Sequence, residues 1–166
     1  MNSHLWICAL IALSFASGMA VESVRASKAD SAPARVTGIG GVFFKAHEPQ
    51  KLSEWYKQYL GIQLQAAVNS PTSPSFAAFD WLEKDDPKKE GSTAFAIFSD
   101  QSKYFAPSSS QFMINFRVVN LGQILDNLKK AGATPDAKIE SDANGRFTWV
   151  MDPEGNKIEL WEAIGK

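Results

Sequence analysis

The sequence has very few of the residues that build metal centres, redox sites and disulfide frameworks. It contains one cysteine, Cys8, and two histidines, His4 and His47. One thiol cannot form an intramolecular disulfide, so the folded chain must be stabilised by its core. The net charge of -1 provides no field that would attract nucleic acid or an anionic membrane surface. We therefore expect no nucleic-acid partner.

Long apolar runs are also missing, with one exception at the N-terminus. Residues 5–21 carry no charge and small residues follow them, as in a secretory signal peptide. The pattern predicts a signal peptide over 1–26, cleaved after Ala20 or Ala26, and a flexible linker over 27–36. An uncleaved anchor is the alternative, although about 17 residues is at the lower limit for spanning a bilayer. We expect export to the bacterial periplasm and no membrane span in the mature chain.

The rest of the sequence repeats one pattern of strands and helix. The spacing of apolar residues predicts a helix that starts at Pro49 and ends at Gly61, and a second helix that ends at Gly132. One strand precedes each helix and three strand-like segments follow it. The predicted order is β-α-β-β-β twice, an α+β fold with modules of about 37–100 and 111–163. The predicted strands cover 36–46, 62–69, 76–82 and 92–99, then 111–119, 134–140, 146–151 and 156–162.

Aromatic residues follow the apolar spacing of the first helix. Tyr59 follows Trp55 by four residues and Tyr56 by three, spacings that belong to one helical face. This spacing predicts that all three pack against the sheet. Between the modules, the segment 106–111 is rich in serine and is interpreted as a connector.

Two stretches resemble a known family. The segment "WYKQYLGI" (55–62) is similar to the end of its helix, and "DPEGNKIELWE" (152–162) is similar to its last hairpin. Residues 37–163 therefore resemble, as a single domain, the vicinal oxygen chelate superfamily. That superfamily includes glyoxalase I, extradiol dioxygenases and bleomycin resistance proteins. The resemblance implies two βαβββ modules whose curved mixed sheets enclose a pocket, but one fold hosts many activities.

The resemblance also implies where a divalent metal would be held, by the first and last strands of each module. Matched one at a time, those positions fall on Gly41, Ala96, Met113 and Glu159. Only Glu159 carries a charged ligating group. One carboxylate cannot hold a catalytic zinc or non-haem iron, and the cleaved chain keeps a single histidine, His47. We expect no metal and no other cofactor.

The predicted pocket has aromatic walls with a few polar groups, which suits a small molecule. Strand alternation places the candidates on the face of Glu159, and Gly41 would leave room beside them. The predicted ligand-binding residues are Phe43, Lys45, Asn115, Arg117, Trp149 and Trp161. Each candidate also has a structural alternative to ligand binding. Glu159 and Arg117 would form a buried ion pair, Trp149 and Trp161 would belong to the core, and Lys45 would face solvent.

Three functions fit these residues. The first is binding of a small aromatic or apolar molecule without a metal, as in the bleomycin-resistance branch that the sequence resembles. The second is a metal-independent lyase or isomerase with Glu159 as general base, because an aromatic pocket raises the pKa of a carboxyl group. The third is an interaction module of the cell envelope. We also expect a homodimer, because the chains it resembles pair and open sheet edges need covering.

Overall fold

The computed structural model describes residues 33–66, 74–84 and 86–164. The first module consists of β1 (Arg35–Ala46), α1 (Pro49–Leu60), β2 (Gln65–Ala66), β3 (Ser75–Leu82) and β4 (Glu90–Ser99). The second consists of β5 (Phe112–Val119), α2 (Leu121–Lys130), β6 (Glu140–Asp142), β7 (Gly145–Met151) and β8 (Lys157–Ala163). The predicted α+β class with paired βαβββ modules is confirmed.

The N-terminal predictions fall mostly outside the described residues. The predicted signal peptide and the predicted linker up to residue 32 lie there. The linker prediction is wrong at its end, because Arg35 and Val36 belong to β1 and pair with β5. No helix in the described ranges is long and apolar enough to cross a membrane.

The strands form one mixed sheet in the order β2-β3-β4-β1-β5-β8-β7-β6. At its centre β1 and β5, the first strands of the two modules, pair antiparallel. Each also pairs in parallel with the last strand of its own module, β1 with β4 and β5 with β8. The first and last strands of both modules are therefore neighbours, and side chains from all four can meet on one face.

The helices cover the outer face of the sheet unequally. Leu121 and Leu125 of α2 are buried against the second module. In α1 the ring of Tyr56 packs edge-on against Phe95, but no residue of this helix is fully buried. The prediction that Trp55 and Tyr59 pack in the core is wrong, since they are 48% and 63% exposed.

The ends of the elements follow local chemistry. Gly61 terminates α1 with φ 70°, a left-handed conformation that glycine adopts without a steric penalty, so this predicted helix end is confirmed. The predicted strand over 134–140 is wrong apart from its last residue. Pro135 cannot donate to a ladder, and the Thr148 hydroxyl instead donates to the carbonyl of Lys138 at 3.0 Å. The regular strand begins only at Glu140.

Candidate functional site

The register of the central strands places one residue from each in a row on the concave face. Gly41 of β1 pairs with Ala94 of β4 and with Asn115 of β5. Asn115 in turn pairs with Glu159 of β8, and Glu159 pairs with Trp149 of β7. Glu159 therefore lies in one row with residues of β4, β1 and β5, and its direct neighbours in that row are Asn115 and Trp149.

Two of the positions matched by counting lie elsewhere. Ala96 and Met113 both pair with Phe43, one step along the face from the row of Glu159. Both are buried in a cluster of aromatic side chains. The matches on β4 and β5 are wrong by two residues, because alternation determines the face of a residue but not its partner on the next strand. The residues in the row are Ala94 and Asn115.

Glu159 is held by neutral hydrogen-bond donors. It is 2% exposed; Oε1 accepts from the hydroxyl of Tyr104 and Oε2 accepts from Nδ2 of Asn115 at 2.7 Å. Burial raises the pKa of Glu159, and the two donors oppose that rise. The nearby indole N–H of Trp149 also lowers the pKa of Glu159. Among the described residues, however, this N–H has no partner at hydrogen-bond geometry. Glu159 therefore keeps its proton to a higher pH than a solvated glutamic acid.

The predicted ion pair between Glu159 and Arg117 is wrong. The guanidinium of Arg117 pairs with Glu83, with 2.5 Å between Nη2 and Oε1, and its Nε donates to Thr37 at 3.0 Å. It also lies over the ring of Trp81, 4.6 Å from the centroid. Arg117 thus joins the two modules away from the row. In the part of the chain that the structure describes, Glu159 has no ion-pair partner.

Sequence reasoning missed the segment 100–111 between β4 and β5, here called the strap. Its Tyr104 donates to Glu159 and stacks on Phe98, with ring centroids 5.3 Å apart and planes 8° apart. Burial, and then the charge of Glu159, raise the pKa of Tyr104, so this hydroxyl stays protonated as a donor. Phe105 is 0% exposed inside the aromatic cluster. Adjacent aromatic residues in a polar connector were the available signal, since solvated linkers rarely carry them.

The serines of the strap attach it to the turn before β8. Ser108 donates from its hydroxyl to the carbonyl of Gly155 at 2.7 Å. Ser110 donates to Oδ1 of Asn156 at 2.6 Å. The segment interpreted as a connector is therefore fastened over the concave face and covers the half that contains Glu159.

Two lysines complete this cover. Lys157 donates to the carbonyl of Tyr104 at 2.7 Å, and its ammonium lies 5.0 Å from the ring centroid of Trp149. Lys45 lies over the ring of Phe105 at 5.2 Å. Both cations are therefore packed on aromatic faces of the strap and its cluster.

The glycines of β1 allow close packing, and the prediction that Gly41 leaves room is wrong. A Cβ atom at Gly41 would lie 2.5 Å from the ring of Phe43. At Gly40 it would lie 2.3 Å from Oδ1 of Asn115 and 2.6 Å from Trp161. Side chains already fill the space above both glycines.

The other half of the concave face stays partly open. Phe147 and Trp161 are half-buried there, and their rings stack with centroids 6.2 Å apart and planes 6° apart. Trp161 is oriented by its indole N–H, which donates to the carbonyl of Asn144 at 2.9 Å. This open half is an aromatic surface beside the buried amide of Asn115. Of the predicted ligand-binding residues, Asn115 and Trp161 meet there, both beside Gly40, whereas Phe43 packs on Phe98 of the aromatic cluster.

The remaining predicted residues have packing roles in the structure. Trp149 is 7% exposed and belongs to the aromatic cluster, as its structural alternative predicts. Lys45 and Arg117 contact Phe105 and Trp81. His47 does not lie on the concave face. Its Nδ1 is 2.8 Å from Oδ2 of Asp100.

The residues in the row do not fit a divalent metal of the kind the family implies. Gly41 and Ala94 have no ligating side chain. Asn115 directs its NH₂ group at Glu159, and its buried Oδ1 has no hydrogen-bond partner among the described residues. A cation at Glu159 would face that NH₂ group and displace the hydroxyl of Tyr104. No cluster of three or more His, Cys, Asp or Glu side chains suited to a metal occurs among the described residues.

A family model described as a glyoxalase-like domain matches residues 41–161, which include the whole row and the strap. The chain belongs to this family. The resemblance to glyoxalase-like proteins that the sequence predicts is thereby confirmed. No curated protein sequence matches the chain.

Solved structures share the glyoxalase-like fold. The methylmalonyl-CoA epimerase from Mycobacterium tuberculosis is 21% identical with a TM-score of 0.52, over 78% of this chain and 89% of that chain. A variant of the Streptomyces coelicolor methylmalonyl-CoA epimerase, in complex with 2-nitronate-propionyl-CoA, is 16% identical with a TM-score of 0.56, over 79% and 100%. A superfamily member from Vibrio splendidus 12B01 is 10% identical with a TM-score of 0.46, over 78% and 99%. The epimerase identities support a shared fold and nothing finer.

Proposed function

We propose that this glyoxalase-like chain binds a small planar aromatic molecule, without a metal, on the open half of its concave face. The observation that carries the proposal is the pair of stacked, half-buried rings of Phe147 and Trp161, beside a row whose single metal-ligating group is Glu159. Flat aromatic faces favour stacking with a flat ligand. Asn115 at the edge of this surface supplies the buried amide that such sites use for orientation.

A second candidate is a metal-independent lyase or isomerase with Glu159 as general base. The raised pKa of this carboxyl group favours it, because a base poised nearer neutral pH is more effective. Its burial opposes it, since Glu159 is 2% exposed and both oxygens already accept hydrogen bonds. Proton abstraction would require Tyr104 to leave the carboxylate.

Binding can be tested with a generic planar probe. Calorimetric titration with 2-naphthol of the protein purified from its own host should show saturable binding, and Trp161→Ala should raise the dissociation constant about tenfold, the loss of one good stacking contact. Trp55→Ala is the matched control, because it removes an exposed tryptophan from the opposite face. It should bind as the wild type does.

Native mass spectrometry of protein from its own host extends the same test. A co-purified aromatic molecule that is lost in Trp161→Ala supports the proposal. Wild-type protein with no bound molecule and no affinity for 2-naphthol would overturn it. One equivalent of a divalent metal, lost in Glu159→Gln, would contradict the metal-free part. Turnover of a bound molecule that disappears in Glu159→Gln would establish the second candidate instead.

We propose in addition that the chain is exported to the bacterial periplasm and that the mature form has no membrane span. Support comes from the uncharged run 5–21 and the small residues after it. Intact-mass measurement of protein from the native host should show a chain that starts at Val21 or Ser27. A product that retains Met1 and remains in the cytoplasm would show that this proposal is wrong.

A further inference from the structure

The amide of Asn115 is buried with one of its two polar atoms unsatisfied. The residue is 3% exposed, and its Nδ2 donates to Oε2 of Glu159 at 2.7 Å. Its Oδ1 has no hydrogen-bond partner among the described residues. A buried carbonyl oxygen that loses its water without gaining a donor is costly, so such an atom in a native fold needs an explanation.

Glu159 determines which way this amide points. Its Oε1 accepts from the hydroxyl of Tyr104 and its Oε2 accepts from the NH₂ group of Asn115. Turning the amide by 180° would bring Oδ1 against Oε2, two acceptors without a hydrogen atom between them. The atom that Asn115 presents on its other side is therefore a carbonyl oxygen, which can only accept a hydrogen bond.

The unsatisfied oxygen lies at the edge of the aromatic surface. A Cβ atom at Gly40 would lie 2.3 Å from Oδ1 of Asn115 and 2.6 Å from Cε3 of Trp161, so the acceptor and the ring meet above this glycine. The indole N–H of Trp161 does not serve as the donor, because it donates to the carbonyl of Asn144 at 2.9 Å. The donor that would satisfy Oδ1 therefore has to come from a bound molecule.

We propose that the ligand is a planar aromatic molecule with a hydrogen-bond donor at its edge, a phenolic hydroxyl or a ring N–H, which donates to Oδ1 of Asn115. This inference rests on the proposed function, since the ring of the ligand stacks on the surface of Phe147 and Trp161. It adds the polar group that the ligand carries. An aryl ether of the same shape would leave Oδ1 unpaired, and sites built around a hydrogen bond discriminate strongly against such analogues.

The ring of Trp161 controls access to this acceptor. Its six-membered ring lies next to Oδ1 above Gly40, so it has to shift before a donor can enter. The opposite edge of the indole is held by the carbonyl of Asn144, in an exposed turn between β6 and β7. A rotation that keeps this hydrogen bond moves the six-membered ring away from Gly40 and opens Oδ1 to the concave face.

Calorimetry of the protein purified from its own host can compare 2-naphthol with 2-methoxynaphthalene, which has the same rings and oxygen atom but no donor. Wild-type protein should bind 2-naphthol about tenfold or more tightly than the ether. In Asn115→Leu, which keeps the approximate shape without the carbonyl oxygen, the two dissociation constants should agree within about twofold. Trp55→Ala is the matched control, because it removes an exposed aromatic ring of α1 and should keep the preference.

The comparison of the two ligands on wild-type protein does not depend on how Asn115→Leu folds. Equal affinities there would overturn this inference and leave the proposed function standing. A preference for 2-naphthol that persists in Asn115→Leu would also overturn it, because the hydroxyl would then reach another acceptor. So would a crystal structure of the 2-naphthol complex with only a water molecule at Oδ1. Failure of both ligands to bind would instead remove the proposed function, and this inference with it.

Discussion

Replacing Phe105 with alanine should lower the free energy of unfolding by about 4 kcal/mol, one of the largest single-site effects in this protein. Phe105 is 0% exposed and lies at the centre of the strap, in edge contact with Phe98 at 5.2 Å. Its removal would leave a cavity between the strap and the sheet. It would also loosen the neighbouring Tyr104 from Glu159. Urea unfolding followed by circular dichroism gives the free energy directly.

Phe112→Ala is the matched control for Phe105→Ala, because the same atoms are removed from a residue that is 50% exposed. We expect it to cost about 1 kcal/mol or less. Equal losses in the two variants would contradict the view that the strap is a packed part of the core. The strap would then be a loosely attached connector, as its serine content indicates.

Replacing Arg117 with methionine should cost about 3 kcal/mol, because the change removes a buried cation and leaves Glu83 without its partner. The methylene stem is retained, so the loss comes mainly from the guanidinium. That group pairs with Glu83 and lies over the ring of Trp81, 4.6 Å from the centroid. It makes no ion pair with Glu159 in the described structure. The expected value is at the lower end for buried pairs, since the side chain of Glu83 is 27% exposed.

A double-mutant cycle with Glu83→Gln isolates this pair. The single variant Glu83→Gln should cost about 1 kcal/mol, and the coupling energy should be about 1–2 kcal/mol. Strict additivity of the two changes would show that the ion pair contributes nothing. A cycle between Arg117→Met and Glu159→Gln, by contrast, should be additive, because these residues share no contact in the described structure.

Much of the fold was predictable because it depends on local patterns. Apolar spacing over 49–60 and 121–130, with glycines beyond each helix, indicates the two helices regardless of what surrounds them. Alternation in β8 places Glu159 opposite Ile158 and Leu160, and it is accordingly buried on the concave face. These features follow from periods of 3.6 and 2 residues, which are properties of a single segment.

The candidate site was predictable only in part, because its contacts join distant segments. The sequence indicated that Phe43, Asn115 and Trp161 share a face with Glu159, which the strand pairing requires. It did not indicate Tyr104, 55 residues before Glu159, as a partner of that carboxylate. The aromatic ring of Tyr104 indicates that its exposure to water is unfavourable. It does not indicate which residues the ring packs against.

The sequence by itself determined the two βαβββ modules, the scarcity of histidine and cysteine, and a buried carboxyl group in the last strand. Tertiary structure alone decided that Arg117 pairs with Glu83, that Asn115 stands beside Glu159, and that the strap closes half of the concave face. The physical reason is one of range. Backbone sterics and hydrophobic periodicity act within a segment, whereas register and side-chain partners are selected by packing and desolvation between segments that meet only in the folded chain.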